Sequence, residues 1–317
     1  MKISAPKILI ISIGKKLGDN ILDTFLVHYL KRLYPKAEIT ILMHQGYKGV
    51  FGNNPDVSRI ITVPNKRYFG HLLKVLVTLR REHFDFVIDV FFPLTYKKAF
   101  FDYMLHPQRL FAADSPQFKW VTHSIPTHPD EHLLVRAQAV LRLLVPQNPA
   151  ISFQYFLYPR EEICQRAARQ YRKPGKKLLF FNPVASNNER SLSVLHIRKL
   201  LQLLAEKFPQ VQVLLSYPVM LANLPSNTTL LPHGNLEELF AAVKCADAVL
   251  TVDTGVVHVA SAFDKPLVAL YPKATYRPAE KVFAPISSQQ ILLRSPATVG
   301  DIADEQILHA VQELVCL

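Results

Sequence analysis

Residues 249–271 read VLTVDTGVVHVASAFDKPLVALY, an apolar β-branched run that stops at Asp253-Thr254-Gly255 and resumes around His258. The run to Val252 is a fully buried strand by pattern, and Leu267 to Tyr271 is a second one. Between them, Gly255 to Phe263 reads as a helix, so the stretch is one strand–helix–strand unit and predicts a parallel sheet. A helix start there would offer bare backbone N–H groups and the Thr254 hydroxyl to an anion. Gly255 would let a phosphate come close, and His258 would stand one turn further on. Alternatively, His258 is a core histidine satisfied by a carbonyl.

The same alternation extends over the whole chain. Strands are expected at Lys7 to Ile13, Glu38 to Met43, Ile60 to Val63, Phe84 to Val90 and Arg109 to Ala112, with helices at Gly18 to Leu33, Leu72 to Arg81 and Glu131 to Leu144. Val145-Pro146-Gln147-Asn148-Pro149 is the best linker candidate. The pattern restarts with helix Arg160 to Tyr171, strand Lys177 to Asn182, helix Leu195 to Phe208, strand Val211 to Ser216, helix Leu236 to Cys245 and strand Ala248 to Val252, ending in a helix near Asp301 to Leu314. At 317 residues the chain suits two domains, 1–150 and 151–317, with the boundary near 146 to 158 and the last helix free to pack back on the first half. Two doubly wound α/β domains would face one another across a cleft at the carboxyl ends of their strands.

Composition narrows the class. With 49% hydrophobic and 20% charged residues the chain is globular. The apolar run Ile8 to Ile13 is too short for a signal peptide, and no stretch reaches the roughly 20 apolar residues of a membrane span. Three cysteines, Cys164, Cys245 and Cys316, lack metal-ligand spacing, so a soluble protein of a reducing cytoplasm is expected. The net charge of +12 fits nucleic acid, an anionic membrane surface, a phosphorylated substrate or a merely basic surface. Because lysines and arginines are dispersed through both halves, a non-catalytic nucleic-acid or membrane binder ranks below an enzyme.

Two further constellations carry chemistry. After the first strand, IGKKLGDNILDTF (13–25) spaces its glycines as G-x-x-x-G-D, which satisfies neither the dinucleotide fingerprint nor a P-loop. Asp19 is then a carboxylate at a strand-to-helix turn, either a helix cap or a general base. Asp23, one turn later, is expected to point along the helix away from that turn. Lys15 and Lys16, beside Gly18, could meet phosphates or only water. The loop after strand 177–182, NPVASNNERSLS (182–193), could hold a phosphate between Ser186 and Arg190, or be a solvated loop with an N-cap serine.

Together, LGD after the first strand, the Ser-x-x-x-Arg loop and DTGVVH with its continuation HVASAFDKPLVALY resemble the heptosyltransferases of lipopolysaccharide core assembly, glycosyltransferase family 9. The resemblance runs over nearly the whole chain and implies a GT-B fold, with the acceptor mainly on the first domain and an ADP-heptose donor mainly on the second. It implies Asp19 as catalytic base, Ser186 and Arg190 as donor-phosphate contacts, and Asp253, Thr254, Gly255 and His258 at the donor diphosphate. It implies inversion of the anomeric carbon without a metal or other cofactor, in keeping with the lack of an Asp-x-Asp motif. Arg190-Ser191-Leu192-Ser193 replaces the family's Lys-Arg-Trp-Pro segment, and Leu215-Ser216-Tyr217-Pro218 stands where a Gly-Gly-Pro-like turn is common. The expected partner is an anionic glycolipid of the lipid A-Kdo type at the cytoplasmic face of the inner membrane, with no nucleic acid. Lys97 and Lys98 in FFPLTYKKAFFDY (91–103) would touch lipid or acceptor phosphate, or form a solvated helix face. Another nucleotide sugar or acceptor glycan on the same fold is the alternative.

Overall fold

The computed structural model describes residues 4–64, 69–145, 150–232 and 234–315. The chain divides into two compact units, 1–158 and 159–317. The expected linker residues 146–149 and Cys316 lie outside the described residues.

In the first unit the elements follow as β1 (Lys7–Ser12), α1 (Leu17–Leu33), β2 (Glu38–His44), β3 (Arg59–Val63), α2 (Phe69–Arg80), β4 (Phe86–Asp89), α3 (Tyr96–Met104), β5 (Arg109–Ala113), β6 (His123–Ile125) and α4 (Leu133–Leu144). Its six strands pair in the order β3-β2-β1-β4-β5-β6, all parallel. The central strands are apolar throughout because helices cover both faces; Leu9, Ile11, Leu42, Val87 and Leu110 form one core cluster with Leu79 of α2.

Helix α1 is buried on nearly every side, the polar Asn20, Asp23 and Thr24 included. Part of that cover is the segment 152–156. The Tyr29 hydroxyl donates to the Ser152 carbonyl at 3.0 Å, the Phe156 N–H donates to Thr24 Oγ1 at 3.0 Å, and the Phe156 ring stacks on His28 at 3.7 Å.

The second unit contains α5 (Glu161–Tyr171), β7 (Lys177–Asn182), α6 (Val194–Lys207), β8 (Val211–Ser216), β9 (Thr228–Leu231), α7 (Leu236–Cys245), β10 (Ala248–Val252), α8 (Val256–Ala262), β11 (Leu267–Tyr271), α9 (Lys273–Glu280), β12 (Gln290–Arg294) and α10 (Asp304–Val315). Its sheet runs β12-β11-β10-β7-β8-β9, again all parallel. Leu179, Phe181, Val213, Leu250 and Val252 pack with Ile197, Leu201 and Leu204 of α6, each such side chain contributing about 1.5–3 kcal/mol of burial. The last helix, α10, joins this core through Ile307 and Val311. Each unit is thus a Rossmann-like doubly wound sheet, and the pair makes a GT-B fold.

Both sheets reverse direction at one point: between β1 and β4 in the first, between β7 and β10 in the second. At such a reversal the flanking loops part, and ligands of open α/β sheets bind there, beyond the carboxyl ends of the strands.

The short edge strands β6, β9 and β12 are absent from the sequence reading. β9 and β12 are only half-buried, so they lack the continuous apolar run that marks a central strand. Helix α3 is not among the expected elements either, because its inward side is little more than Ala99, Asp102 and the half-buried Phe101, while Tyr96, Phe100 and Tyr103 are exposed.

Candidate active site

In the first unit the reversal is occupied by the loop from Gly14 to Lys16 and the start of α1. Asp19 is the third residue of that helix, and its Oδ2 accepts the Lys16 N–H at 3.3 Å. The cap reading of Asp19 therefore holds, but it does not exhaust the residue. Burial lifts the Asp19 pKa above the usual carboxylate value, while the Lys16 charge and the Lys16 and Lys15 amides pull it partly back. The result is a carboxylate more basic than an exposed one.

Gly14 makes this turn possible. A Cβ at that position would lie 2.3 Å from the Cβ of Asp19, so no larger residue lets the helix start fold back over the strand end. Asn20, fully buried, fastens the loop: its Nδ2 donates to the Gly14 and Lys16 carbonyls at 3.1 and 2.7 Å, and its Oδ1 accepts from Ser12 Oγ at 3.2 Å. The Tyr47 hydroxyl adds a 2.5 Å bond to the Lys15 carbonyl. Gly18 is buried, whereas Lys15 and Lys16 are exposed.

Asp23 differs from expectation. The four-residue step places it under the turn, buried, with its carboxyl hydrogen-bonded to Ser12 at the end of β1. Burial, above all, holds its pKa well above the ordinary range; the negative charges of Asp89 and Asp19 add to this against the Ser12 bond and Lys98.

Asp89, the last residue of β4, and Asp102 of α3 are also buried, and burial raises both pKa values, Asp102 well above the usual range. Lys98 answers this acidity, its Nζ standing 2.8 Å from Asp89 Oδ2. Lys98, expected at lipid or acceptor phosphate, is drawn inward by this buried carboxylate and keeps 31% of its side chain exposed. Lys97, its neighbour, is exposed.

In the second unit the reversal brings the Ser186–Arg190 loop against the end of β10. Arg190 lies in a short 3-10 turn, Asn188–Arg190, held by bonds from its N–H and Nε to Asn187 Oδ1 at 3.2 and 3.1 Å. Its guanidinium donates to Ser186 Oγ at 2.7 Å and, 63 residues along the chain, to the Asp253 carbonyl at 3.3 Å; Asp253 Oδ2 is 3.6 Å away. Only 13% of the side chain is exposed, so the positive charge is fixed in direction.

Asn182, which closes β7, ties the same two loops from below. Its Nδ2 lies 3.0 Å from Thr251 Oγ1, 3.1 Å from Thr254 Oγ1 and 3.3 Å from the Val184 carbonyl. Sequence reasoning misses it as a functional residue, because an asparagine ending a strand looks like ordinary turn chemistry.

The helix start at Gly255 is less open than the pattern implied. The Val256 N–H is taken by Thr254 Oγ1 at 3.2 Å, Val257 by the Thr254 carbonyl and His258 by the Gly255 carbonyl, both at 3.1 Å. The helix spans only seven residues, so its dipole adds little, and Arg190 is the cation fixed beside it. His258 is buried on α8 at 6% exposure.

Among the described residues, no group of three His, Cys, Asp or Glu side chains could hold a metal ion. No described helix is long and apolar enough to cross a membrane.

Comparison with known proteins extends this geometry. The model of Glycosyltransferase family 9 (heptosyltransferase) matches residues 72–300. Lipopolysaccharide heptosyltransferase 1 of Campylobacter coli is 20% identical over 97% of this chain and 98% of its own. A glycosyl transferase family 9 structure from Veillonella parvula superposes with a TM-score of 0.83 at 18% identity, covering 99% and 98% of the two chains. E. coli heptosyltransferase WaaC with ADP-2-deoxy-2-fluoro heptose gives 0.77 at 17% identity, covering 97% and 99%.

Proposed function

This chain belongs to glycosyltransferase family 9, the heptosyltransferases, and on that premise we propose that it moves heptose from ADP-heptose to the Kdo or heptose region of the lipopolysaccharide inner core. Its relative in Campylobacter coli is a lipopolysaccharide heptosyltransferase, and the similar E. coli enzyme carries an ADP-heptose analogue. The observation that carries the reading is Arg190, bonded at once to Ser186 and to Asp253 at the strand reversal of the second unit. A rigid, desolvated guanidinium with a hydroxyl beside it suits the oxygens of a diphosphate.

In this reading, residues 1–158 hold the acceptor and 159–317 the donor. Asp19 takes the proton of the acceptor hydroxyl as its oxygen attacks the anomeric carbon. The bond from that carbon to the diphosphate oxygen breaks in the same step, and ADP leaves with the electron pair. Attack opposite to the leaving group inverts the anomeric centre. Arg190, with Ser186, Thr254 and Gly255, meets the charge that grows on the leaving phosphates, so no metal is needed for that role. Asp19 suits the base role because burial makes it more basic than a solvated carboxylate, and such proton transfer contributes roughly 100- to 10,000-fold.

The acceptor would be a glycolipid, so the protein would work in the cytoplasm, peripheral to the inner membrane. The test is transfer from ADP-heptose to truncated core acceptors, with thermal shifts in ADP, UDP, GDP and CMP. Stabilisation by ADP alone supports the donor, since a ligand bound only by the folded state raises the melting point. A preference for UDP would point to another nucleotide sugar, in line with the altered Leu215–Pro218 turn.

A further inference from the structure

Helix α3 has two faces of opposite character. Lys98, Ala99 and Asp102 turn inward, Lys98 reaching Asp89 at the carboxyl end of β4, the strand beside β1. On the outside Tyr96, Phe100 and Tyr103, spaced i, i+4, i+7, form one stripe and are 80, 61 and 43% exposed. Tyr103 lies 5.1 Å from Trp120, and Trp120 and Tyr96 pack on the buried Phe118 at 5.4 and 5.3 Å, so the helix and the loop at 118–120 form one aromatic cluster whose exposed rings are Tyr96, Phe100, Tyr103 and Trp120.

Lys97 and Lys119 are the exposed charges of segments 96–104 and 116–120; the acid there, Asp102, is buried. Clustered exposed aromatics of this size mark an interaction surface. Tyr96 and Tyr103, apolar in body with a polar hydroxyl, match the headgroup layer of a bilayer, Trp120 adds apolar ring area while its Nε1 donates to the Ala99 carbonyl at 3.2 Å, and flanking lysines match anionic lipid. A second copy fits worse, because a two-fold contact sets the same patch against itself, with its lysines and no exposed acid to pair them.

We propose that the Tyr96–Phe100–Tyr103–Trp120 stripe, with Lys97 and Lys119, docks this protein on an anionic lipid bilayer. The proposal rests on the reading that the acceptor is a membrane-anchored glycolipid. It puts the lipid contact on the helix whose inner face reaches Asp89.

The experiment is co-sedimentation of the full chain with phosphatidylcholine vesicles, with and without phosphatidylglycerol. The protein should partition onto the phosphatidylglycerol vesicles and release as salt rises. Tyr96→Ser/Phe100→Ser should lower that partitioning by about tenfold or more, and Lys97→Gln by roughly fivefold, only where phosphatidylglycerol is present. Heptose transfer to a delipidated, soluble acceptor should stay at the unaltered rate in Tyr96→Ser/Phe100→Ser, while transfer to vesicle-embedded acceptor falls. A double variant that bound vesicles as well as the parent would overturn the proposal, as would a parent that ignored both vesicle types. A dimer seen by sedimentation velocity and abolished by Tyr96→Ser/Phe100→Ser would also overturn it, assigning the stripe to a second copy. If vesicle binding depends on the stripe but no heptose transfer occurs with any acceptor, the surface stands and the enzymatic reading falls. Should the double variant melt early, Lys97→Glu/Lys119→Glu, altering only exposed side chains, takes its place in the vesicle assay with the same two outcomes.

Discussion

Asp19→Asn separates the two uses of one carboxylate. The amide keeps the volume and can still accept the Lys16 N–H now bonded to Oδ2 at 3.3 Å. What the fold loses is the favourable charge in the first turn of α1, worth about 0.3–1 kcal/mol, and it is relieved of burying that charge. The stability change should stay within about 1 kcal/mol, or roughly 2–4 °C in the melting temperature of a unit the size of residues 1–158. Turnover is another matter. An amide cannot take the acceptor proton, so kcat should fall by about 100- to 10,000-fold, near 2.7–5.5 kcal/mol in the barrier. ADP affinity, which the proposed donor site of the second unit would set, should not change. Initial rates of ADP release with acceptor, calorimetric ADP titration and a melting curve measure the three quantities on one preparation. The pH profile adds a fourth: the acid limb of kcat/KM in the parent should lie above the usual carboxylate value, because burial raises Asp19, and should vanish in the variant. An Asp19→Asn variant that turned over within about tenfold of the parent, or kept the same acid limb, would refute the assignment of the base.

Arg190→Ala should weaken ADP binding by roughly 10- to 100-fold, the worth of a charged hydrogen bond, with Arg190→Lys intermediate because an ammonium cannot span Ser186 and Asp253 together; unchanged calorimetric affinity would remove Arg190 from the site. Gly14→Ala should destabilise by about 1–3 kcal/mol and cut kcat while sparing ADP affinity, since the new Cβ must displace Asp19; a melting curve and rates check it. Lys98→Met strands Asp89 among buried acids and should cost about 2–4 kcal/mol in denaturant unfolding, with Asp89→Asn in the same chain restoring most of it. Asp23 and Asp102 bind protons more tightly folded than unfolded. Stability should therefore decline as pH rises from the ordinary carboxylate value through their raised ones, and Asp102→Asn should flatten that slope in pH-dependent melting.

Much of the site is legible as short strings. GKKLGD and DTGVVH fall where apolar runs stop, because a strand buried on both faces is continuously apolar and its end is the first place where polar chemistry is allowed. Asn20 and Asn182 are not legible. Each carries a loop through bonds whose partners depend on the turn's closed geometry, and asparagine in a turn has many uses. The pairing of Lys98 is not legible for a related reason: its inward direction is set by Asp89, nine residues away on another element.

The sequence by itself determined the order of the central strands and the longer helices, the restart of the pattern in the second half, and the places where each sheet could present a carboxylate or an anion contact. These follow from local periodicity, capping and breaks in burial, which each segment carries within itself. Only the tertiary structure decided which strands became neighbours. Setting β7 beside β10 is what joins Arg190 to Asp253, and setting β1 beside β4 is what gathers Asp23, Asp89 and Lys98 beneath Asp19. Parallel pairing brings together residues far apart along the chain, and no local pattern records which partner will arrive.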